Sequence, residues 1–378
     1  MSEELKAIIS GGGTGGHIFP AISIANAIKG LVPTAKILFV GAVGRMEMEK
    51  VPMAGYEITG LPARGLLRPL YSPRNIGVIA DYMKSKHIVK RTIRDFNPHI
   101  AIGVGGYASA ATINVAHSMG IPCLIQEQNS YAGVTNKMLA GAADRICVAW
   151  DGMERFFPAE KILKTGNPVR QGLGAVAKRR ACGGVDDKYG GRKKKRVVIM
   201  GGSLGAKTIN ESVMNSLNII AAEKDIDFLW QTGKTYYAKI KERLDMEGKP
   251  DNLTVTEFIN DMPDAYMNAD LVVSRAGASS ISELCMVAMP AILVPSPNVA
   301  EDHQTKNAMA LADKHAALHV RDCDARDSLI MTAVKTVKDN ALLTELSVNI
   351  SRMAMPDAAD VIAQEAIRLA ERRRTKDK

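Results

Sequence analysis

Two stretches of this chain combine residue types and spacing suited to a phosphorylated sugar: Gly11-Gly-Gly-Thr-Gly-Gly16 followed by His17, and Ser274-Arg-Ala-Gly-Ala-Ser-Ser-Ile-Ser-Glu283. A turn with almost no side-chain bulk exposes amide N–H groups, and a helix start behind it adds the positive end of a dipole, so anions and sugars are its natural ligands. Tight turning at positive φ accounts for one or two of the glycines, whereas five of these six positions are glycine. The turn is neither a P-loop, lacking the Lys-Ser/Thr pair, nor a dinucleotide fingerprint, since no acidic residue closes a second strand at Phe39-Val40-Gly41. His17 sits at the helix start, where the dipole disfavours a protonated ring and leaves an imidazole able to accept a proton. A capping or packed histidine is the alternative.

In the second stretch, small hydroxyl residues and free N–H groups where a helix begins near Ser279 suit a phosphate, and Glu283 one turn further can accept both hydroxyls of a ribose. The competing reading is an ordinary helix start with an acidic first turn. Gly201-Gly-Ser-Leu-Gly205, on a neighbouring strand end, would complete a nucleotide pocket. Gln126-Glu-Gln-Asn129 also follows a strand and gathers the amides and carboxylates that sugar hydroxyls require, unless Asn129 and Ser130 simply cap the next helix. Arg170, at the end of Gly166-Asn-Pro-Val-Arg170, is either a guanidinium for a diphosphate leaving group or a surface arginine. The triplets Asp225-Ile-Asp227 and Asp322-Cys-Asp324 lie away from the glycine turns and read as helix-boundary or turn aspartates, so no metal site is expected.

The elements that must position these residues alternate between short β-rich runs and longer helical patterns, which predicts an α/β protein with parallel sheets covered on both faces. Strands are expected at 6–10, 35–40, 99–104, 122–126 and 145–148, then again at 196–200, 227–231, 253–257, 270–274 and 291–295. Between the two sets the chain from about 171 to 195 turns rich in glycine and charge and lacks hydrophobic periodicity, which marks a linker. Each half opens with a strand, a glycine-rich turn and a helix. Two doubly wound domains facing a cleft, with ligands beyond the carboxyl ends of the strands, follow from this pattern.

A chain of 378 residues with 46% hydrophobic content accommodates two cores. The five scattered cysteines form no C-x-x-C pair, which suggests reduced thiols and excludes a cysteine zinc site. The opening residues lack the pattern of an export signal, and no apolar run approaches the roughly 18 residues of a membrane span. A net charge of +9 implies an anionic partner. From Leu66 to Phe96, apolar residues (Leu66, Leu67, Leu70, Ile76, Ile79, Tyr82) mix with basic ones (Arg68, Arg74, Lys84, Lys86, Lys90, Arg91, Arg94) in a surface that could meet anionic lipid headgroups, although part of the apolar stripe must pack on the sheet.

Taken in order, Gly12-Gly-Thr-Gly-Gly-His17, Glu127-Gln-Asn129, Gly166-Asn-Pro-Val-Arg170, Gly201-Gly-Ser203, Glu257-Phe-Ile259 and the stretch from Ser274 to Glu283 resemble the MurG family of peptidoglycan glycosyltransferases over almost the whole chain. The resemblance implies two Rossmann-like domains of GT-B type: an acceptor and membrane-facing domain at 1–170, a linker at 171–195, a UDP-sugar domain at 196–354, and a helix at 355–378 returning to the first domain. It implies inverting transfer of N-acetylglucosamine from UDP-N-acetylglucosamine to undecaprenyl-pyrophosphoryl-N-acetylmuramyl-peptide, with no cofactor and no metal, by a peripheral protein at the cytoplasmic face of the bacterial membrane. Cell-wall synthesis proteins are implied as partners on the same ground. By the family pattern the donor touches Thr14, Gly15, Gly16, Asn129, Arg170, Ser203, Ile259, Ala278, Ser279, Ser280, Ile281, Ser282, Glu283 and Gln304. Ile259 lends its backbone to uracil, Glu283 holds the ribose, Ser203 and Arg170 the phosphates, and Gln304 with Asn129 the sugar. His17 is the expected base, with Glu127 in reserve. Two features depart from the family: Gln126 stands where a histidine is common, and the linker carries a basic insertion from Cys182 to Lys195.

Three rival readings follow. UDP-N-acetylglucosamine 2-epimerases share the architecture but need no lipid acceptor, and a UDP-sugar:diacylglycerol transferase would have much the same donor domain. A nucleic-acid-binding module would use the positive charge, but aromatics are only 5% of the chain and are not interleaved with the basic residues as stacking platforms require, so no nucleic-acid partner is expected.

Overall fold

The computed structural model describes residues 4–13, 15–65, 75–170, 172–181, 194–299 and 302–376. Thr14, the stretch from Leu66 to Arg74 and most of the basic insertion lie outside the described residues. The chain divides into unit 1, formed by 1–170 with 356–378, and unit 2, formed by 171–355.

Unit 1 runs β1 (Lys6–Ser10), α1 (Gly15–Leu31), β2 (Lys36–Ala42), α2 (Glu47–Met53), β3 (Glu57–Leu61), α3 (Asn75–Phe96), β4 (Ile100–Gly103), α4 (Tyr107–Ser118), β5 (Cys123–Glu127), α5 (Val134–Leu139), β6 (Arg145–Val148) and β7 (Ile162–Lys164). The strands pair in parallel in the order β3-β2-β1-β4-β5-β6-β7. Covered on both faces, β4 and β5 are buried at every position, which is why they read as continuous apolar runs rather than alternating ones.

Unit 2 runs α6 (Leu173–Ala181), β8 (Lys195–Met200), α7 (Lys207–Asn215), α8 (Leu217–Ala222), β9 (Ile226–Gln231), α9 (Tyr237–Glu247), β10 (Leu253–Thr256), α10 (Met262–Met267), β11 (Leu271–Ser274), α11 (Ala278–Met286), β12 (Ala291–Leu293), α12 (His303–Ala312), β13 (Leu318–His319), α13 (Asp322–Lys338) and α14 (Asn340–Ser351). Its parallel sheet has the order β10-β9-β8-β11-β12-β13, so both sheets reverse direction beside their first strand. Helix α6 lies within the stretch read from sequence as linker. Its Leu173 and Val176 are buried, and Arg180 donates to the carbonyls of Val287, Tyr266 and Ala269, which fastens it to unit 2.

The last helix, α15 (Ala358–Lys376), belongs to unit 1. Ile362, Ala363, Ala366, Leu369 and Ala370 join the core formed by β1, α1 and β2 residues such as Ile9, Ile24 and Phe39. An ion pair of 2.8 Å between Arg145 and Glu365 ties the helix to β6.

Candidate functional site

In both units the residues singled out by sequence collect where the strands end. In unit 1, Gly11 to Gly13 leave β1 and α1 starts at Gly15. His17 Nδ1 lies 3.0 Å from the Gly12 carbonyl. A carbonyl only accepts, so Nδ1 carries the proton and, in the neutral ring, Nε2 keeps the lone pair. The ring lies against Gly105, where an added Cβ would approach Nε2 and Cδ2 to 2.9 Å. Gly15 and Gly16 open α1, and the Arg170 guanidinium sits 5.5 Å above the Phe19 ring of the same helix.

Glu127 ends β5 almost fully buried. One carboxylate oxygen accepts from the Asn129 N–H at 3.0 Å and from its side-chain amide at 3.2 Å; the other accepts from the Gly133 N–H and the Asn136 amide, both at 2.9 Å. Four donors fill its acceptor positions, so this carboxylate organises the turn that presents Asn129. Beside it, Gln126 donates to Asn167 at 2.8 Å, Gln128 donates to Gln126 and to the Val104 carbonyl, and Asn167 donates to the Gln128 carbonyl. Position 126 is thus a buried amide inside a structural network that also anchors the Gly166 to Arg170 segment.

Unit 2 sets its turns side by side in strand order. Gly205 (φ 86°) and Gly233 (φ 81°) pack backbone on backbone: a Cβ on Gly205 would lie 2.1 Å from the Thr232 carbonyl oxygen, and one on Gly233 would lie 2.1 Å from the Gly205 nitrogen. Gln231, buried at the end of β9, donates to the Gly202 carbonyl at 3.0 Å and accepts from the Ile259 N–H at 2.9 Å, clasping the turns after β8 and β10. Ser203 is exposed on the first of these turns.

Helix α11 begins at Ala278 behind Gly277, with no side chain capping it. Ser279 Oγ is buried without a hydrogen-bond partner among the described residues. An orphaned hydroxyl in such a place carries a desolvation cost that a ligand oxygen would relieve. Ser280 is half-buried, Ser282 turns its hydroxyl back to the Ala278 carbonyl, and Ile281 points into the core. Glu283 is buried and accepts from the Tyr266 hydroxyl at 3.0 Å. Gln304 accepts from the Ser296 N–H at 2.9 Å.

Arg275, inside the second motif, is committed to structure: it donates to the carbonyls of Val294 and Pro295 and to Asp322, whose other oxygen accepts from Thr208. Asp322 and Asp324 lie in the first turn of α13, whereas Asp227 lies within β9 rather than at a helix boundary or turn. Among the described residues no group of three or more His, Cys, Asp or Glu side chains could hold a metal ion.

Sequence reasoning missed Glu47, Gln231 and Tyr266. Gln231 had a signal, being a polar residue closing an apolar strand just before Thr-Gly. Glu47 and Tyr266 are defined by partners distant in sequence, and their local surroundings gave none.

The model of the glycosyltransferase family 28 N-terminal domain matches residues 7–148, and that of the family 28 C-terminal domain matches 196–362. A protein of Bacteroides fragilis named UDP-N-acetylglucosamine--N-acetylmuramyl-(pentapeptide) pyrophosphoryl-undecaprenol N-acetylglucosamine transferase is 55% identical, with 98% of this chain and 97% of the relative covered. The protein of the same name from Parabacteroides distasonis is 52% identical, with 98% and 100% covered. A crystal structure of MurG from Acinetobacter baumannii superposes with a TM-score of 0.74 at 27% identity, covering 96% of this chain and 99% of that one. UDP-GlcNAc 2-epimerase from Neisseria meningitidis reaches a TM-score of 0.65 at 12% identity over 97% of this chain and 100% of that one, a likeness of fold alone.

Proposed function

This chain belongs to glycosyltransferase family 28, and from that membership we propose that it transfers N-acetylglucosamine from UDP-N-acetylglucosamine to undecaprenyl-pyrophosphoryl-N-acetylmuramyl-pentapeptide, with inversion at the sugar C1. The observation that carries the reading is identity of 55% over 98% of the chain to relatives named for this reaction.

The strand-end turns of unit 2 receive the nucleotide. The N–H groups at the start of α11 and the Ser279 hydroxyl, buried without a partner among the described residues, face a diphosphate oxygen, Glu283 accepts the ribose hydroxyls, and the Gln231 clasp holds the turn bearing Ile259 for uracil. In unit 1, His17 Nε2 takes the proton from the muramyl 4-hydroxyl as its oxygen bonds to C1 and the C1–O bond to UDP breaks. The four donors on Glu127 favour His17 for this role.

Among the described residues no helix is long and apolar enough to cross a membrane. Ile76, Ile79 and Met83 are exposed on α3 at helical spacing, and the exposed Lys84, Lys90, Arg91 and Arg94 continue along the same helix. This face rests on the anionic cytoplasmic surface of the membrane, where a lipid-linked acceptor is found.

The reading is tested by following UDP release from UDP-N-acetylglucosamine with and without a short-chain lipid-linked muramyl-pentapeptide analogue. Release that requires the analogue and yields the disaccharide product is expected. UDP release at the same rate without it would overturn the transferase reading, and conversion of the donor to its C2 epimer with no net UDP release would favour an epimerase.

A further inference from the structure

We propose that Glu47 is a positioning residue for His17, acting through the single peptide group that joins Gly12 to Gly13. The inference rests on the reading of His17 as the base. Glu47 opens α2 with no exposed surface. Its carboxylate accepts from the Gly13 N–H at 3.0 Å through one oxygen and 3.2 Å through the other, and from the Ala42 N–H at 3.0 Å. Two glycines make the space it occupies: a Cβ on Gly12 would lie 2.0 Å from its Oε1, and one on Gly41 would lie 2.6 Å from its Cγ. A carboxylate so far from water persists only when donors surround it, and here the donors are backbone groups of the glycine turn and of the end of β2.

The Gly13 N–H and the Gly12 carbonyl belong to one planar peptide, whose two polar groups point in opposite directions. One side donates to Glu47 and the other accepts from His17 Nδ1 at 3.0 Å. The carboxylate therefore orients the imidazole at one remove. It fixes the rotation of the peptide plane, polarises the carbonyl that holds the Nδ1 proton, and keeps Nε2 as the nitrogen that accepts. The arrangement repeats the logic of a base oriented by a buried acid, with a peptide group interposed. It also fills the turn's Gly13 N–H with the protein's own anion, so that donor faces inward rather than toward a ligand phosphate.

The test combines a double-mutant cycle with a spectroscopic measurement on the unaltered protein. Glu47→Gln preserves volume but turns an amide NH₂ toward backbone N–H groups. It is expected to lower kcat on the order of tenfold to a hundredfold, as for loss of a hydrogen bond to a charged group, with the KM for UDP-N-acetylglucosamine within about twofold. In a His17→Ala background the same substitution is expected to cost less than about twofold, because its effect passes through the ring. Unchanged kcat in Glu47→Gln, or an equal loss in both backgrounds, would overturn the proposal while leaving His17 as the base. Wild-type kcat in His17→Ala would remove the base assignment itself, and the proposal with it. Independently of how any variant folds, ¹H–¹⁵N spectra of the wild-type protein should show the His17 ring protonated at Nδ1 and not at Nε2. The opposite tautomer would overturn the relay.

Discussion

Glu127 and Tyr266 show how differently two buried polar side chains beside a strand end behave. Glu127 is saturated by four donors from its own turn and the helix behind it, whereas Glu283 accepts from the Tyr266 hydroxyl on a different element, a bond that orients the carboxylate proposed to hold the ribose. Tyr266→Phe is therefore expected to raise the KM for UDP-N-acetylglucosamine about tenfold, the equivalent of roughly 1.4 kcal/mol, with kcat little changed; steady-state kinetics at saturating acceptor check this. Much at this scale was legible because ligands in doubly wound sheets gather at the carboxyl ends of strands, a rule that picks out His17, Gln126 to Asn129 and the start of α11 from the sequence. The rest was not. Glu47 looks from its neighbours like any acid in a first helical turn, and only the fold brings it beneath a glycine turn more than 30 residues away.

At the scale of elements, the strands that went unread, β3, β7 and β13, all lie at sheet edges. An edge strand has one neighbour and a partly solvated face, so it lacks the continuous apolar run that announced β4, β5 and β11. Glycine turns carry a second lesson. Gly205 combines a positive φ with a backbone neighbour where a side chain would begin, so Gly205→Ala is expected to lower the thermal midpoint and abolish UDP binding, with well over about 1 kcal/mol of stability lost from the backbone conformation and the clash together. Calorimetry with and without UDP measures both effects. Helix α15 offers a titratable counterpart. Arg368 and Arg145, both bonded to Glu365, hold its carboxyl below its ordinary value of 4.5. A depressed carboxylate pKa contributes stability that is fully present above the unfolded value and is lost as pH falls through the folded one. The stability of unit 1 should therefore decline as pH drops below about 4.5, and Glu365→Gln should flatten that part of the profile in thermal unfolding monitored from pH 6 downward.

For the molecule as a whole, the alternation of strands and helices was enough to specify two doubly wound parallel sheets, because burial on both faces leaves a strong mark on sequence composition. The positive charge was less informative, since +9 is compatible with any anionic partner until the fold shows where it lies. The exposed Ile76, Ile79 and Met83 of α3 turn that charge into a specific expectation. Binding to vesicles containing anionic lipid should weaken as salt is raised, and Ile76→Ser with Ile79→Ser should reduce it further; flotation at two ionic strengths distinguishes the two contributions. Unit 1 also takes its core from two separated parts of the chain: residues of β1 and α1 such as Ile9 and Ile24 are covered by Ile362, Ala366 and Leu369 of α15. During synthesis, then, the earlier part of the protein must wait with an apolar seam uncovered while the ribosome makes all of unit 2. The unit translated first is the last to be finished, and any chaperone that attends this chain has that seam to guard.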